Sequence, residues 1–304
     1  MHNPPLENLW IDTDLAIGYE RPEKTGPADV DDGFALAQLL NTIPQKIKGI
    51  SAVFGNTTLA NAHLLTREFL HFYPGLEIPI FKGASQAVNL AEPEPSEAVR
   101  ALAGALKNQK LTLLAIGPLT NIATLLLLHP AAAENIREIV IVAGRRKVSD
   151  HFYVGSNALP FPDFNFELDP VAYQIIAHTS IPITLCPFEV SSKVMLMEAD
   201  LDRLARGNAL SQFLARESRP WLGNWQQSGS PGFHPFDALA SHYLLYPDDI
   251  RAEALLARIE YHPDDTVEEG GYKPYLICDK AWGRNVKYCY HPRDLNKSTS
   301  HDYS

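Results

Sequence analysis

Residues 9–14 read LWIDTD, an apolar run that ends in two aspartates, and residues 29–36 read DVDDGFAL, which places two more at the start of a helical pattern. The apolar run predicts a buried strand. Alternate side chains of a strand point to one face, so Asp12 and Asp14 are expected to lie on the same side. Asp31 and Asp32 suit the positive end of a helix dipole, from which they can reach the strand end.

These four carboxylates predict a cation site. Close carboxylates repel each other unless one takes a proton or a cation neutralises them. A group of carboxylate oxygens suits a hard ion such as Ca²⁺ or Mg²⁺ better than zinc. The simpler alternative is that Asp31 and Asp32 only cap their helix.

Outward from this stretch, short apolar runs alternate with helical patterns through the first two thirds of the chain. Continuous apolar strands joined by helices predict an α/β fold, with a mostly parallel central sheet and helices on both faces. The predicted strands are 9–14, 47–55, 78–83, 111–117, 139–144 and 183–189. The predicted helices are 32–40, 59–72, 96–106, 119–128 and 170–178.

The last third has a different pattern. Residues 199–227 and 236–246 look helical, and residues 254–291 alternate like antiparallel strands around the turn signal EEGG. No repeat or low-complexity segment divides the chain. We therefore expect one domain over residues 1–304 with C-terminal helical and antiparallel elaborations, and disorder in the last ten or so residues.

Composition narrows the classes of partner. The net charge is −10, which disfavours nucleic acid and anionic lipid as partners, because both bind clustered Lys and Arg. The N-terminus lacks the pattern of a signal peptide, and the most apolar stretch, 111–128, is interrupted by glycine and proline. Three cysteines without metal-type spacing argue against a disulfide scaffold or a zinc site. A cytoplasmic protein is expected.

Polar motifs follow the predicted strands, where parallel sheets bind their ligands. In chain order they are DTD (12–14), DVDDGFAL (29–36), GNTT (55–58), AIGPLTNIA (115–123), IVIVAG (139–144), DFNFELDPVAY (163–173) and FDALA (236–240). Taken together and in this order, they resemble the nucleoside hydrolase family over residues 9–290. The resemblance implies that family's α/β fold, hydrolysis of the N-glycosidic bond of ribonucleosides, and a homodimer or homotetramer.

The resemblance also implies site residues. A Ca²⁺ ion would be held by Asp14, Asp32, Asp237 and the backbone carbonyl of Leu114, with Asp14 also acting as general base on a water molecule. The residues expected to hold the ribose hydroxyls are Asp31, Asn56, Asn157, Asp163 and Asn165.

Three features depart from the family pattern. Residues 15–30 separate Asp14 from Asp31, and this insertion is expected either to close over the substrate or to be a passive surface loop. Asp163 stands where many members have glutamate. Phe236 stands where members that protonate the departing base often have histidine.

The residue that would protonate the departing base is therefore open. His234 is a candidate acid for the leaving group, against the simpler interpretation of a solvated histidine. Trp225 and Phe236 are expected to contact the base, with Trp221, His151 and Tyr153 as further candidates. At least one of the two tryptophans is expected in the core.

Two other functions compete with hydrolysis of nucleosides. A strand-terminal DxD also begins the haloacid-dehalogenase-like phosphatases, but their GDxxxD-like acidic motif is not found here. A ribosyl-binding protein without turnover would be compatible with Phe236. Among the remaining charged residues, Arg145-Arg146-Lys147 is expected to be a solvated loop, with contact to an anionic substrate as the alternative. Asp264-Asp265 is expected to be a solvated turn.

Overall fold

The computed structural model describes residues 6–19, 26–153, 155 and 160–293. Its centre is a nine-stranded sheet in the order β10-β9-β11-β6-β5-β4-β1-β2-β3, and β7 and β8 form a separate two-stranded ribbon. The strands are β1 (Leu9–Thr13), β2 (Ile47–Ala52), β3 (Ile80–Lys82), β4 (Leu111–Ala115), β5 (Ile136–Ile141), β6 (Ile183–Leu185), β7 (Leu196–Met197), β8 (Gly232–Phe233), β9 (Ile250–Pro263), β10 (Tyr272–Asp279) and β11 (Arg284–Pro292).

Ten α-helices connect and cover these strands in the described part of the chain. They are α1 (Asp31–Thr42), α2 (Leu59–Leu70), α3 (Glu97–Asn108), α4 (Thr120–Leu128), α5 (Phe164–Leu168), α6 (Pro170–Ala177), α7 (Phe188–Ser191), α8 (Glu198–Leu204), α9 (Ala209–Gln227) and α10 (Phe236–Leu245). None of the described helices is both long and apolar enough to cross a membrane.

The sheet separates two apolar cores. Leu9 and Ile11 of β1 pack into the core that contains α1, α9 and α10, whereas Trp10 points into the core of α3, α4 and α6. This alternation follows the period of two of a strand, and both faces are covered. The prediction of a mostly parallel α/β fold with helices on both faces is therefore confirmed.

The strand order creates a crevice beside β1. From β1 the chain builds β2 and β3 on one side, and then returns to build β4, β5 and β6 on the other. Strand order reverses between β1 and β4, and open parallel sheets bind ligands at such a point, beyond the carboxyl ends of the strands. Asp14 follows β1 and Gly117 follows β4, so both residues lie at this crevice.

Several predicted boundaries differ from the observed ones. The helical pattern over 199–227 is divided into α8 and α9, because the Asn208 side chain accepts a hydrogen bond from Ser211 N (2.9 Å) and caps a new helix. The antiparallel elaboration is confirmed: β9 pairs with both β10 and β11, and Gly270 and Gly271 make the turn with positive φ. The predicted disorder of the last ten or so residues lies outside the described residues.

The expectation that Arg145 is solvated was wrong. Arg145 is 2% exposed, and its backbone bonds to the edge of β10, donating to Leu276 O (3.0 Å) and accepting from Cys278 N (2.8 Å). Its guanidinium lies between the rings of Phe152 and Tyr275, 4.3 and 4.8 Å from their centroids. A delocalised cation tolerates such burial because it stacks on aromatic faces.

Asp265 was also expected to be solvated, and it is the buried partner of Arg145. Its Oδ2 accepts from Arg145 Nη1 (3.0 Å), and its Oδ1 lies 2.7 Å from Lys273 Nζ. Lys273 also donates to Glu167 Oε1 (2.9 Å), which accepts from the backbone of Asp163 (2.8 Å). These ion pairs therefore connect the β9–β10 turn to the beginning of α5.

One glycine of the parallel sheet is required by packing. Gly49 is the cross-strand partner of Trp10, and a Cβ at residue 49 would lie 2.5–2.9 Å from the indole ring. We expect Gly49→Ala to lower the free energy of unfolding by about 1–3 kcal/mol through overpacking, measured by urea denaturation. Gly104→Ala is the control, because that helical position has no atom within 4 Å of the added Cβ.

The control is expected to raise the free energy of unfolding by up to about 1 kcal/mol, the helix-propensity gain of alanine over glycine. Equal effects at the two positions would contradict the packing argument.

Removing the Arg145 side chain is expected to leave Asp265 buried with fewer cationic partners. We expect Arg145→Met to lower the free energy of unfolding by about 3 kcal/mol. The matched control is Arg203→Met, which breaks an exposed pair with Asp200 and should cost less than about 1 kcal/mol. Similar losses in the two variants, measured by chemical denaturation, would show that the buried pair contributes no more than a surface pair.

Candidate active site

Three buried aspartates converge at the crevice beside β1. Asp31 and Asp32 begin α1, and Asp237 is the second residue of α10. One carboxylate oxygen from each lies within 4.8 Å of the others, a spacing that could hold a metal ion. Asp31 Oδ2 also accepts a hydrogen bond from Asp237 N (3.0 Å). The packing of α1 against α10 therefore brings Asp237 next to Asp31 and Asp32.

Asp14 reaches the same place from the end of β1. Its Oδ2 accepts a hydrogen bond from the backbone of Asn56. A Cβ at residue 55 would overlap this carboxylate, and Gly55 has φ of +155°, so glycine is required for the close approach. Thr13 Oγ1 donates to Asp32 Oδ1 and holds that second carboxylate beside β1.

Two carboxylate oxygens in this group lack a hydrogen-bond partner among the described residues. They are Asp14 Oδ1 and Asp32 Oδ2, and both are buried. A buried oxygen without a donor is costly, and a cation removes that cost. The atoms that could bind such a cation are all carboxylate oxygens, which are hard ligands that suit Ca²⁺ or Mg²⁺. The residues present therefore fit a metal ion.

Burial and mutual repulsion both raise the pKa values of these carboxyl groups. Burial, opposed by the Asn56 hydrogen bond, raises the pKa of Asp14 to about 7. Burial raises the pKa of Asp32 and of Asp237 well above the usual range, and the neighbouring carboxylates add to both shifts. Like charges that are taken out of water favour proton uptake. Full ionisation of the cluster therefore requires a compensating cation.

Like the predicted ligand Asp14, Asp12 lies outside the group of three aspartates whose oxygens could hold a metal. Its carboxylate accepts hydrogen bonds from Ser51 Oγ and from Asn121 Nδ2 (2.7 Å). Burial raises the pKa of Asp12 to about 7. Asp12 thus ties β1 to β2 and α4, and Asp237 supplies a carboxylate that the N-terminal stretch does not contain. Leu114, the expected backbone ligand, lies in β4 opposite Ile11.

A cavity opens next to the aspartates. Of the predicted substrate contacts, Asp31, Asn56, Asp163, Asn165, Trp225 and Phe236 line it, as does the further candidate Trp221, whereas Asn157 lies outside the described residues. The other lining residues are Asp29, Val142, Ala143, Phe152, Phe161, Pro162, Phe164, Phe188 and Asp237.

Asp163 and Asn165 are held at the polar end of the cavity by backbone hydrogen bonds. Asp163 Oδ2 accepts from Gly144 N (2.7 Å), and burial raises the pKa of Asp163 to about 7 although Arg145 lowers it. Asn165 Nδ2 donates to Ile116 O (3.2 Å) just after β4, and its Oδ1 has no partner among the described residues. Both residues are thus oriented by the neighbouring strand ends.

The same lining contains an aromatic wall of six side chains. Their ring centroids lie 4.9–6.4 Å from those of their neighbours. The wall consists of Phe152, Phe161, Phe188, Trp221, Trp225 and Phe236. Such a surface suits a planar heteroaromatic group.

The other candidate contacts lie elsewhere. His151 Nδ1 is 2.8 Å from Asp265 Oδ2, so this ring belongs to the ion pairs around Arg145. Tyr153 packs against His151 and is 48% exposed. Neither residue is among the described residues that line the cavity.

His234 is buried behind the aromatic wall. Its Nδ1 lies 2.7 Å from Val194 O, so the proton is on Nδ1 and Nε2 is left as an acceptor. Its ring packs against Trp225 and Phe188, and it is outside the described cavity lining. Burial lowers the pKa of His234. The structure therefore favours a neutral imidazole with no proton facing the cavity.

The insertion after Asp14 returns directly to the site. Ala28 N donates to Tyr19 O (2.9 Å) and closes the loop whose residues 20–25 are outside the described part. Asp29, at its end, accepts from Val30 N (2.7 Å) and lines the cavity. Asp29 was not predicted as a site residue, although its position two residues before Asp31 was an available signal.

Comparison with known proteins agrees with this geometry. The family model described as inosine-uridine preferring nucleoside hydrolase matches residues 9–290. The non-specific ribonucleoside hydrolase RihC of Salmonella typhimurium is 26% identical over 258 residues, which cover 76% of this chain and 80% of that protein.

Solved structures share the fold. A plant nucleoside hydrolase, PpNRh1, superposes with a TM-score of 0.77 at 19% identity and covers 97% of both chains. The purine-preferring ribonucleoside hydrolase from Gardnerella vaginalis gives a TM-score of 0.73 at 18% identity, with 96% of this chain and 95% of that chain covered. Because the family model spans nearly the whole chain, the phosphatase alternative is excluded, and this protein belongs to the inosine-uridine preferring nucleoside hydrolase family.

Proposed function

We propose that this protein hydrolyses the N-glycosidic bond of ribonucleosides in a calcium-dependent reaction that gives ribose and a free base. The observation that carries the proposal is the group of buried carboxylates at the strand-order reversal, with Asp14 Oδ1 and Asp32 Oδ2 unpartnered among the described residues. Beside it lies a cavity with a polar end for a sugar and an aromatic end for a base.

Asp14, Asp32, Asp237 and the carbonyl of Leu114 would hold the calcium ion. When bound, the ion supplies orientation and acidification of a water molecule. Asp14 is the proposed general base, because it combines a fixed position after β1 with a free buried oxygen. It takes the proton as the water attacks C1′ of the ribose.

The polar end of the cavity is proposed to orient the sugar. Asp31, Asn56, Asp163 and Asn165 line it, and Asn157 is assigned there by the family resemblance alone. Cleavage develops positive charge on the ribosyl ring, which the surrounding carboxylates stabilise. Fixed hydroxyl contacts also remove the entropy cost of orientation.

At the other end, Trp225 and Phe236 are proposed to contact the base. We also propose a homodimer or homotetramer, as the family resemblance implies, and a cytoplasmic location, as the cysteine content and the N-terminal sequence indicate. The second candidate function is ribosyl binding without turnover, which is favoured by Phe236 and by the position of His234 behind the wall. Nothing in that function would require a complete set of metal-binding carboxylates.

A chelation experiment tests the proposed function. Reducing sugar is assayed on a panel of ribonucleosides with native protein, with EDTA, and after CaCl₂ or MgCl₂ is restored. We expect chelation to abolish turnover and calcium to restore it. Asp14→Asn is expected to lower kcat by at least about 10²-fold, whereas the exposed Asp248→Asn should have wild-type kcat.

Two outcomes would count against this mechanism. Turnover that is unaffected by EDTA would show that the reaction needs no metal ion. Wild-type kcat in Asp14→Asn would show that Asp14 is not the general base. Ribose binding measured by calorimetry, with no turnover of any riboside tested, would establish the binding function instead.

A further inference from the structure

The base end of the cavity has no basic side chain among its described lining residues. The aromatic wall forms part of this lining, and the remaining lining side chains are aspartates, asparagines and apolar groups. Four aspartates line the cavity as a whole: Asp29, Asp31, Asp163 and Asp237. Asp32 belongs with Asp31 and Asp237 to the group that could hold a metal, and Asp14 acts electrostatically on Asp32. Six carboxyl groups thus surround one small cavity.

One metal ion does not neutralise all of these groups when they are ionised. A divalent cation compensates two negative charges, Arg145 and Lys273 act on Asp163 alone among the six, and the described lining itself contains no Lys, Arg or His. A positively charged ligand would be attracted by such a cavity, and an anionic one would be repelled.

The leaving group faces a second constraint. A neutral base departs with the electron pair of the C1′–N bond and becomes an anion unless an acid protonates it. Phe236 occupies the position from which that acid is expected. His234 presents its Nδ1 proton to Val194 O, and its ring makes edge-to-face contacts with the rings of Trp225 and Phe188.

A base that is already cationic does not need this acid. When its C1′–N bond breaks, the electron pair returns to the ring nitrogen and the base leaves as a neutral molecule. Water supplies hydroxyl to C1′, and its proton passes to Asp14 and then to solvent. Charge and atoms balance without a further proton donor.

We propose that the base end of this cavity selects N-ribosides whose heteroaromatic base carries a formal positive charge, such as a pyridinium or an N7-alkylated purinium. The proposal rests on the proposed hydrolase function and specifies its substrate class. Aromatic faces attract a cation through their ring quadrupoles, and the attraction increases when water is excluded. The aromatic wall and the excess of carboxyl groups act in the same direction.

Binding of two isosteric probes tests charge recognition without turnover. 1-Methylnicotinamide is a cation, and 3-methylbenzamide is a neutral molecule of the same shape. Calorimetry on the calcium-loaded protein should give a Kd for the cation about tenfold lower. Equal affinity, or tighter binding of the neutral probe, would overturn the proposal.

A pair of tryptophan variants locates the effect. Trp225→Leu should reduce the preference for the cationic probe, because it removes a ring of the aromatic wall. Trp282→Leu should leave the preference unchanged, since Trp282 is 62% exposed and its ring is covered by Arg258, away from the cavity lining. An unchanged preference in Trp225→Leu would place the binding site elsewhere and overturn the assignment.

Turnover provides a second test with inosine and 7-methylinosine, assayed at a pH low enough that N1 of 7-methylinosine keeps its proton. The two substrates then differ by one methyl group and one charge. The wild-type protein should cleave 7-methylinosine with the higher kcat/KM. Phe236→His should raise kcat on inosine about 10²-fold without raising kcat on 7-methylinosine, because only the neutral base needs an acid. An equal change in both substrates would contradict the proposed role of Phe236.

The two proposals fail in distinguishable ways. If calcium-loaded protein cleaves neither substrate, the hydrolase function fails, while the probe affinities still decide the charge preference. If it cleaves inosine as efficiently as 7-methylinosine and binds both probes equally, the hydrolase function stands and the cationic substrate class is wrong.

Discussion

The structure depends on keeping several carboxyl groups close together although they repel one another. Asp14, Asp32 and Asp237 come from the end of β1 and the starts of α1 and α10, and all are buried. Such a group is stable only where donors and a cation compensate its charge. Backbone N–H groups of Asn56 and Asp237 provide part of that compensation.

This requirement explains features that otherwise look unrelated. Glycine at residue 55 lets the chain approach Asp14. Packing of α1 against α10 brings Asp237 to Asp31 across 206 residues of sequence. The reversal of strand order beside β1 opens the crevice where the group lies. Oxygens that remain without a donor are then available to a metal ion.

The parts predictable from sequence are those with a local signal. The period of the apolar residues predicted β1 and α1 to within two residues, because each buries one continuous face. Asp237 has no local pattern that connects it to Asp14, and only the family resemblance placed it in the site. Arg145 and Asp265 were misjudged because charged residues in turns are usually solvated, and these two pair across 120 residues.

The aromatic wall could not be predicted from the local sequence either. Phe161 and Phe188 were not recognised, since single phenylalanines in apolar surroundings look like ordinary core residues. They approach Trp225 and Phe236 because four parts of the chain pack together. These parts are the loop before α5 and the helices α7, α9 and α10. Trp225 is 3% exposed, so it is both a core residue and part of the cavity lining.

Phe236 and Asp237 are adjacent at the start of α10, and both line the cavity. In the proposed mechanism, phenylalanine at residue 236 supplies no acid for the leaving group, while the neighbouring carboxylate is kept. Loss of turnover would make the buried carboxylates a cost without a purpose, because each is destabilised by burial. The complete carboxylate group therefore favours an enzyme whose substrate leaves without an acid over a protein that has lost its reaction.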